Sequence, residues 1–380
     1  LILILFIDGL PNFNNLGSNS FKSLMPNTHE FFSKGIMFNN HYANSEWSLP
    51  SFANIFTGGY THNHGLFYHP KIIGQNYPIL SELFQAKGYL TFNAGGAWRI
   101  NPGYGYAKGF DRVIYKRHMD CKEIISQFFD HHYAFKNRDQ FILLNFCDLH
   151  HFLKLNPSIS SQIKLEPENF EKKLTQVKSV YEDFEKNKIE ILKNEMALLD
   201  FNISRIYDYL ERTFKNNEIL VNIVTDHGHS YLGHSKNLLS QEALSIPWLL
   251  RGGGVSQSEY NKLTENVDIF KSLLNLCELD EKGVLNDGIL PTILGGEVDR
   301  KYTFAESIYP NKSYQSRILD HKFTFDFNSS NKLDSNGKLA NKNNTYTLKD
   351  KTTSNIISDI KISENYQSIS ESKINLLNKN

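Results

Sequence analysis

The sequence predicts an α/β fold with a mainly parallel central sheet and helices on both faces, followed by a small C-terminal antiparallel α+β piece. Three observations predict it. Leu1–Ile7 is an unbroken apolar run of strand length, and Phe141–Cys147 and Ile219–Thr225 are predominantly apolar runs of the same length interrupted by Asn145 and Asn222, as expected of strands covered on both faces. Stretches between them carry apolar residues at helical spacing. Beyond about Lys301 the texture changes to short extended pieces split by Asn, Ser, Gly and Lys clusters.

Taken in order, the first run ends in Asp8-Gly9, which puts a carboxylate at the edge of the sheet where ligands bind in open α/β folds. Asn27–Gly35 reads as a short helix and Met37–Tyr42 as an extended piece. In Trp47–Gly59, Pro50 suits a first helical turn and Gly58-Gly59 suits a stop, so a helix is expected to open at Leu49 or Pro50. Ser48 then stands at the helix mouth. It is either a plain N-cap or a nucleophile placed where the helix dipole and free N–H groups favour an oxyanion. Pro78–Gly88 has helical spacing and Tyr89–Asn93 returns to strand. In the glycine-rich stretch that follows, Arg99 is either a solvated loop residue or a contact for an anionic substrate.

The second run ends in Asp148-Leu149-His150-His151, where Asp148 and His150 share one side if the extended geometry persists. Residues 154–188, rich in Lys, Glu, Asn and Gln, read as a surface insertion that leads into a helix over about Ile189–Phe214. The third run ends in Asp226-His227-Gly228-His229, and His234 and Lys236 lie in the loop beyond it. Ile246–Leu250 is another strand and Val267–Leu276 a helix. Short strands are expected over 302–306, 316–319, 321–327 and 345–348, and residues 362–380 form either a docked helix or a loose tail. The expected division is a catalytic domain over 1–300 and a small C-terminal subdomain with a polar tail over 301–380.

Forty-one basic residues balance forty-one acidic ones and no basic block stands out, which argues against a nucleic-acid partner. Cys121, Cys147 and Cys277 are far apart and lack CxxC spacing, so neither a disulfide framework nor a zinc knuckle is expected, and a reducing, cytoplasmic location fits. Because the chain opens at Leu1 and not at Met, a periplasmic or exported location stays open. The opening run is too short to span a bilayer, and no transmembrane segment is expected.

Collected at the strand ends and the helix mouth, Asp8, Ser48, Asp226 and His227 offer three oxygens and one imidazole, a donor set for a divalent metal that would also ease ionisation of a hydroxyl. Asp148, His150, His234 and Lys236 form a second group, able to hold a second ion or to bind an oxyanion and protonate a leaving group.

Several ordered motifs resemble the sulfatase branch of the alkaline phosphatase superfamily over nearly the whole chain. They are Met25-Pro26-Asn27-Thr28 with Gly35–Asn40, Ser48-Leu49-Pro50-Ser51 with Phe56-Thr57-Gly58, Leu80–Gly88 with Tyr89 and Thr91, Thr225-Asp226-His227-Gly228, Gln241–Arg251, and Asp287-Gly288 through Gly296. The resemblance implies an alkaline-phosphatase-like sandwich and one or two divalent ions (Zn, Mn, Ca or Mg). It implies a metal set of Asp8, Ser48, Asp226 and His227, with Asp148 as a further candidate. Ser48 would be the nucleophile, His150 or His234 the acid for the leaving group, and Arg99, His151 and Lys236 the substrate contacts. The substrate would be a small-molecule, glycan or lipid-headgroup ester.

Three departures narrow this. Typical sulfatases carry two consecutive acids after the first strand, and this chain has Asp8-Gly9. Conversion of the nucleophile to formylglycine looks for Arg two residues after the Pro, where this chain has Phe52. The family's G-K-W-H is here Gly96-Ala97-Trp98-Arg99. These differences point toward members with an unmodified Ser or Thr that act on phosphate esters. The alternatives are a sulfatase with formylglycine at Ser48, and an inactive binding protein of the same fold.

Overall fold

The computed structural model describes residues 1–17, 20–67, 71–150, 178–229, 232, 238–309, 312–334, 345–351, 353, 356 and 360–379. Eight strands form the main sheet: β1 (Ile2–Ile7), β2 (Ile36–Tyr42), β3 (Leu90–Gly95), β4 (Arg112–Tyr115), β5 (Gln140–Phe146), β6 (Leu220–Val224), β7 (Ser245–Gly252) and β8 (Ser258–Glu265). Their order is β4-β3-β5-β1-β6-β7-β2-β8. The three apolar runs are therefore the three central strands, where both faces are covered. All pairings are parallel except those of β7 with β6 and β2.

Side-chain alternation along β1 divides the core in two. Ile4 and Phe6 face one layer with the Ser48–Thr57, Leu80–Ala86 and Asn266–Leu276 helices. Leu3, Leu5 and Ile7 face the other, with the Pro26–Phe32, Cys121–Ala134 and Lys178–Thr213 helices. The last of these begins inside the stretch expected to be an insertion. Its Lys- and Glu-rich start resembles a loop in composition, yet both residues are good helix formers that need no buried face. Its buried stripe runs Leu192, Met196, Leu199, Ile203, Ile206, Tyr207 and Leu210, while Leu198, expected on that stripe, is exposed. Its polar residues are not all solvated. Buried Asp200 accepts the Asn27 and Thr28 backbone N–H groups at 3.0 and 2.7 Å. It thereby caps the Pro26–Phe32 helix, whose own N-cap Met25 has no side-chain acceptor.

A second, antiparallel sheet, in the order β12-β11-β10-β9, comprises β9 (Thr303–Ser307), β10 (Ser313–Leu319), β11 (Phe323–Lys332) and β12 (Thr345–Asp350). Residues 360–379 form a helix docked on it through Tyr366 and Ile374, which resolves the two readings of the tail. Two buried polar networks join this sheet to the main body. Arg300 pairs with Glu265 at 2.6 Å and with Asp268, while Glu265 also accepts the Phe304 N–H at 2.8 Å. Glu306 accepts from the His62 ring at 2.7 Å, the His62 N–H at 2.9 Å and the Tyr314 hydroxyl at 3.0 Å.

Candidate active site

The site sits at the C-terminal ends of β1 and β6. The Asp8 N–H extends the ladder by donating to the Phe146 carbonyl at 2.8 Å, which fixes the carboxylate just past the strand. Asp226 follows β6, and its Oδ1 accepts the N–H groups of Gly9 (3.0 Å) and His227 (2.9 Å). The Ser48–Thr57 helix is tied to the same edge by Ser51, whose hydroxyl donates to the Asp226 carbonyl at 2.6 Å. Ser48, three residues earlier, lies on the same helix face and is brought over the two strand ends.

Ser48 is not the N-cap. Trp47 occupies that position with extended backbone, and Ser48 is the first helical residue, one or two positions earlier than the proline pattern predicts. Pro50 falls third, among the groups that have no intrahelical acceptor, so its missing N–H costs nothing there. At the far end Gly58 closes the helix at φ 69°, and a Cβ there would meet the Phe270 ring at 2.4 Å. With no capping duty, the Ser48 hydroxyl lies 3.4 Å from Asp8 Oδ1 and 3.3 Å from His227 Nε2. Asp8, Ser48, Asp226 and His227 are all buried.

The hydrogen bonding shows what this cluster lacks. His227 Nδ1 lies 2.8 Å from the Gly228 carbonyl oxygen, which can only accept, so Nδ1 carries a proton and the neutral ring presents its lone pair at Nε2. That lone pair faces Asp226 Oδ2 at 3.3 Å. Asp226 Oδ2 is buried and has no hydrogen-bond partner. Acceptors thus face acceptors around one hydroxyl, and the missing component is positive charge. Burial, and next the neighbouring Asp226, push the Asp8 carboxyl well above the usual carboxylate range. A divalent cation meets the same need, and separations of 3.3–3.4 Å are those of neighbouring ligands around one ion with bonds of about 2.0–2.4 Å. The residues fit a metal.

His150, expected as an acid or second-site residue, joins the same cluster: ligand atoms of Asp8, His150 and His227 all lie within 4.8 Å of one another. Desolvation, and next the neighbouring His227, lower its pKa, as does Arg99. Asp148 goes elsewhere. The chain leaves β5 in a turn, so alternation does not persist, and Asp148 Oδ1 accepts the Cys121 N–H at 3.2 Å at the start of the Cys121–Ala134 helix. Arg99 stands at the rim, its guanidinium 5.6 Å from the Trp47 ring and within reach of the Tyr104 hydroxyl at 3.3 Å. Arg117 lies 3.9 Å from the Trp98 ring. His151, His234 and Lys236 lie outside the described residues.

Two residues to which the sequence reading gave no role belong to the surroundings. Glu46 accepts the Ser307 hydroxyl at 2.5 Å, which binds β9 to the segment just before Ser48. His229 packs its ring over Gly9. The second imidazole of the Asp226-His227-Gly228-His229 string was the available signal, but its contact across 220 positions was not.

The family model for sulfatases matches residues 1–279. Comparison with curated protein sequences gave no match. Among solved structures, a phosphonate monoester hydrolase from Silicibacter pomeroyi superposes with TM-score 0.71 at 15% identity, covering 98% of this chain and 94% of that one. A 2-O GAG sulfatase gives 0.74 at 18% identity, with 99% and 92% covered. A protein of the alkaline phosphatase superfamily from Vibrio parahaemolyticus gives 0.63 at 14% identity, with 99% and 87% covered. Among the described residues no helix is long and apolar enough to cross a membrane. Matched over its first 279 residues and sharing this fold almost end to end, the chain belongs to the sulfatase family, enzymes that hydrolyse phosphoric or sulfuric esters.

Proposed function

We propose that the protein is a metal-dependent hydrolase or transferase that acts on phosphate esters, and more slowly on sulfate esters, through a covalent intermediate on Ser48. One observation carries the reading: a buried hydroxyl, free of capping duty at a helix N-terminus, lies 3.3–3.4 Å from an imidazole lone pair and a carboxylate. Asp8, Asp226 and His227 would hold the cation beside Ser48. When bound it would lower the pKa of the hydroxyl and offset charge on the ester.

The remaining chemistry belongs to the chain. Ser48 loses its proton to solvent and Oγ bonds to phosphorus while the bond from phosphorus to the leaving oxygen breaks. The helix N-terminus and the Arg99 guanidinium favour the anionic ester. His234 supplies the proton for the leaving alkoxide. Water or an acceptor alcohol then attacks phosphorus and releases Ser48. The ester would be that of a small molecule, a glycan or a lipid headgroup, in line with the phosphonate monoester and GAG substrates named for the structural neighbours.

The test compares matched nitrophenyl phosphate and sulfate esters with wild type and Ser48→Ala, together with mass analysis of the Ser48 peptide after rapid quench. Faster phosphate turnover, its loss in Ser48→Ala and a phosphoryl adduct at Ser48 are expected. A formylglycine mass at Ser48 with preferred sulfate turnover would replace the reading by the sulfatase one, and no turnover of either ester would favour an inactive binding protein. His234→Ala should slow alkyl esters more than nitrophenyl esters, because a stable leaving group needs little acid catalysis. Equal losses would remove His234 from that role.

A further inference from the structure

The turn after β1 has an unusual neighbour. Gly9 adopts φ 75°, and a Cβ placed on it would lie 3.1 and 3.2 Å from Cε1 and Nε2 of His229 and 3.8 Å from the His150 backbone. The space into which a side chain at position 9 would project is therefore filled by the His229 imidazole and bordered by His150. This is the position at which the sulfatase resemblance leads one to expect a second acid. Around the same point the His227 ring centroid lies 6.0 Å from that of His150 and 6.4 Å from that of His229. Three imidazoles thus surround two carboxylates, and one of them, His150, has a ligand atom within 4.8 Å of those of Asp8 and His227.

Taking the proposed cation site as given, we propose that histidines replace the missing second carboxylate: His150 is a direct metal ligand alongside Asp8 and His227, and His229 is a positioning residue that occupies the place left by Gly9. The consequence is a change in metal class. A site of carboxylates and water suits Ca2+ or Mg2+, whereas adding imidazole nitrogen shifts preference to Zn2+ and similar transition ions. The assignment also removes His150 from the role of acid toward the leaving group. His229, packed against the Gly9 turn next to Asp8, supports the site from behind, because a ligand held by its surroundings binds more tightly than one left to rotate.

The test reads metal binding without substrate. Chelator-stripped full-length protein is titrated with Zn2+, Mn2+, Ca2+ and Mg2+ by calorimetry and by competition with a chromophoric chelator, and its Co2+ form is recorded by visible absorption. Wild type should bind Zn2+ at least about 100-fold more tightly than Ca2+. His150→Ala should lower Zn2+ affinity roughly 10–100-fold, as expected for a ligand or its close support, leave Ca2+ affinity within about threefold and alter the Co2+ spectrum. His229→Ala should lower Zn2+ affinity less, with His229→Gln recovering part of the loss. Gly9→Asp combined with His229→Ala should raise Ca2+ affinity relative to Zn2+, since aspartate tolerates positive φ better than most residues. Where that double variant does not fold, the two single-histidine variants decide the matter. Equal or tighter Ca2+ binding by wild type, or equal loss of Zn2+ and Ca2+ in His150→Ala, would overturn the proposal. Zinc selectivity with no ester turnover would leave this inference standing and remove the catalytic one.

Discussion

Two buried polar clusters of this molecule have nearly the same burial and opposite bonding. At the junction of the sheets, Arg300, 6% exposed, lies between Glu265 and Asp268, and these carboxylates also accept backbone N–H groups, Glu265 from Phe304 and Asp268 from Ile289. At the candidate site, Asp8, Asp226 and His227 bring acceptors against one another and leave Asp226 Oδ2 with no donor. Where charge is balanced inside the chain, the cluster holds structure together. Where it is not, a ligand must complete it, and that imbalance is the physical mark of function.

The largest effect should come from removing a carboxylate from the candidate site. Asp226→Asn should lower kcat/KM by at least about 10⁴-fold, about 5.5 kcal/mol. In chelator, its urea unfolding free energy should move by less than about 1 kcal/mol, since one of two competing carboxylates has been neutralised. A large stability loss in the metal-free protein would erase the contrast. The junction should behave in the reverse way. Arg300→Met should cost about 3–5 kcal/mol of stability, because it strands two buried carboxylates. Activity per folded molecule should persist, read from unfolding curves and active-site titration.

Glu306 sharpens the comparison through pH. Burial opposes its ionisation, but His62 and the hydrogen bonds around it hold its pKa below the ordinary glutamate value. A depressed acid contributes stability that is present above its unfolded pKa and lost as pH falls through its folded pKa. Wild type should exceed Glu306→Gln in stability by about 1–3 kcal/mol near neutrality, with the gap closing on acidification below the ordinary glutamate value. A gap independent of pH would show that the charge contributes nothing. The smallest effect belongs to the rim: Arg99→Gln should raise KM about tenfold, about 1.4 kcal/mol, with unfolding unchanged and with the difference shrinking in high salt.

Asp8, Asp226 and His227 were legible because each follows a predominantly apolar run of strand length, and a run that reads as a central strand announces its own end. Ser48 was legible from Pro50 and the Gly58-Gly59 stop, although its step from cap to first helical residue depends on how Ser51 binds the Asp226 carbonyl. β8 escaped because it is an edge strand, Ser-Glu-Tyr-Asn-Lys-Leu-Thr-Glu, whose exposed face interrupts any apolar pattern. β4 is only four residues long, and the Cys121–Ala134 helix was likewise passed over. Asp148 was misleading for a local reason: a two-residue spacing shares a face only while the strand continues, and the chain turns at once. The packing of His229 on Gly9 joins residues 220 positions apart, and no local pattern encodes it.

The contact between β9 and the segment before Ser48 has a consequence for the order of assembly. Glu306 donates its N–H to the Asn44 carbonyl at 2.9 Å, Asn44 donates to the Phe304 carbonyl at 2.8 Å, Ser307 bonds Glu46, and the Tyr309 ring meets Trp47 at 5.5 Å. The approach to Ser48 is thus fastened by residues made some 260 positions later. During synthesis, a chain that already contains Asp8, Ser48 and Asp226 has the candidate site residues but no strand to hold the helix mouth in register. On the proposed mechanism, activity would wait until β9 has been made. Fragments ending at residue 302 should therefore leave the Ser48 segment open to protease, while the full chain protects it.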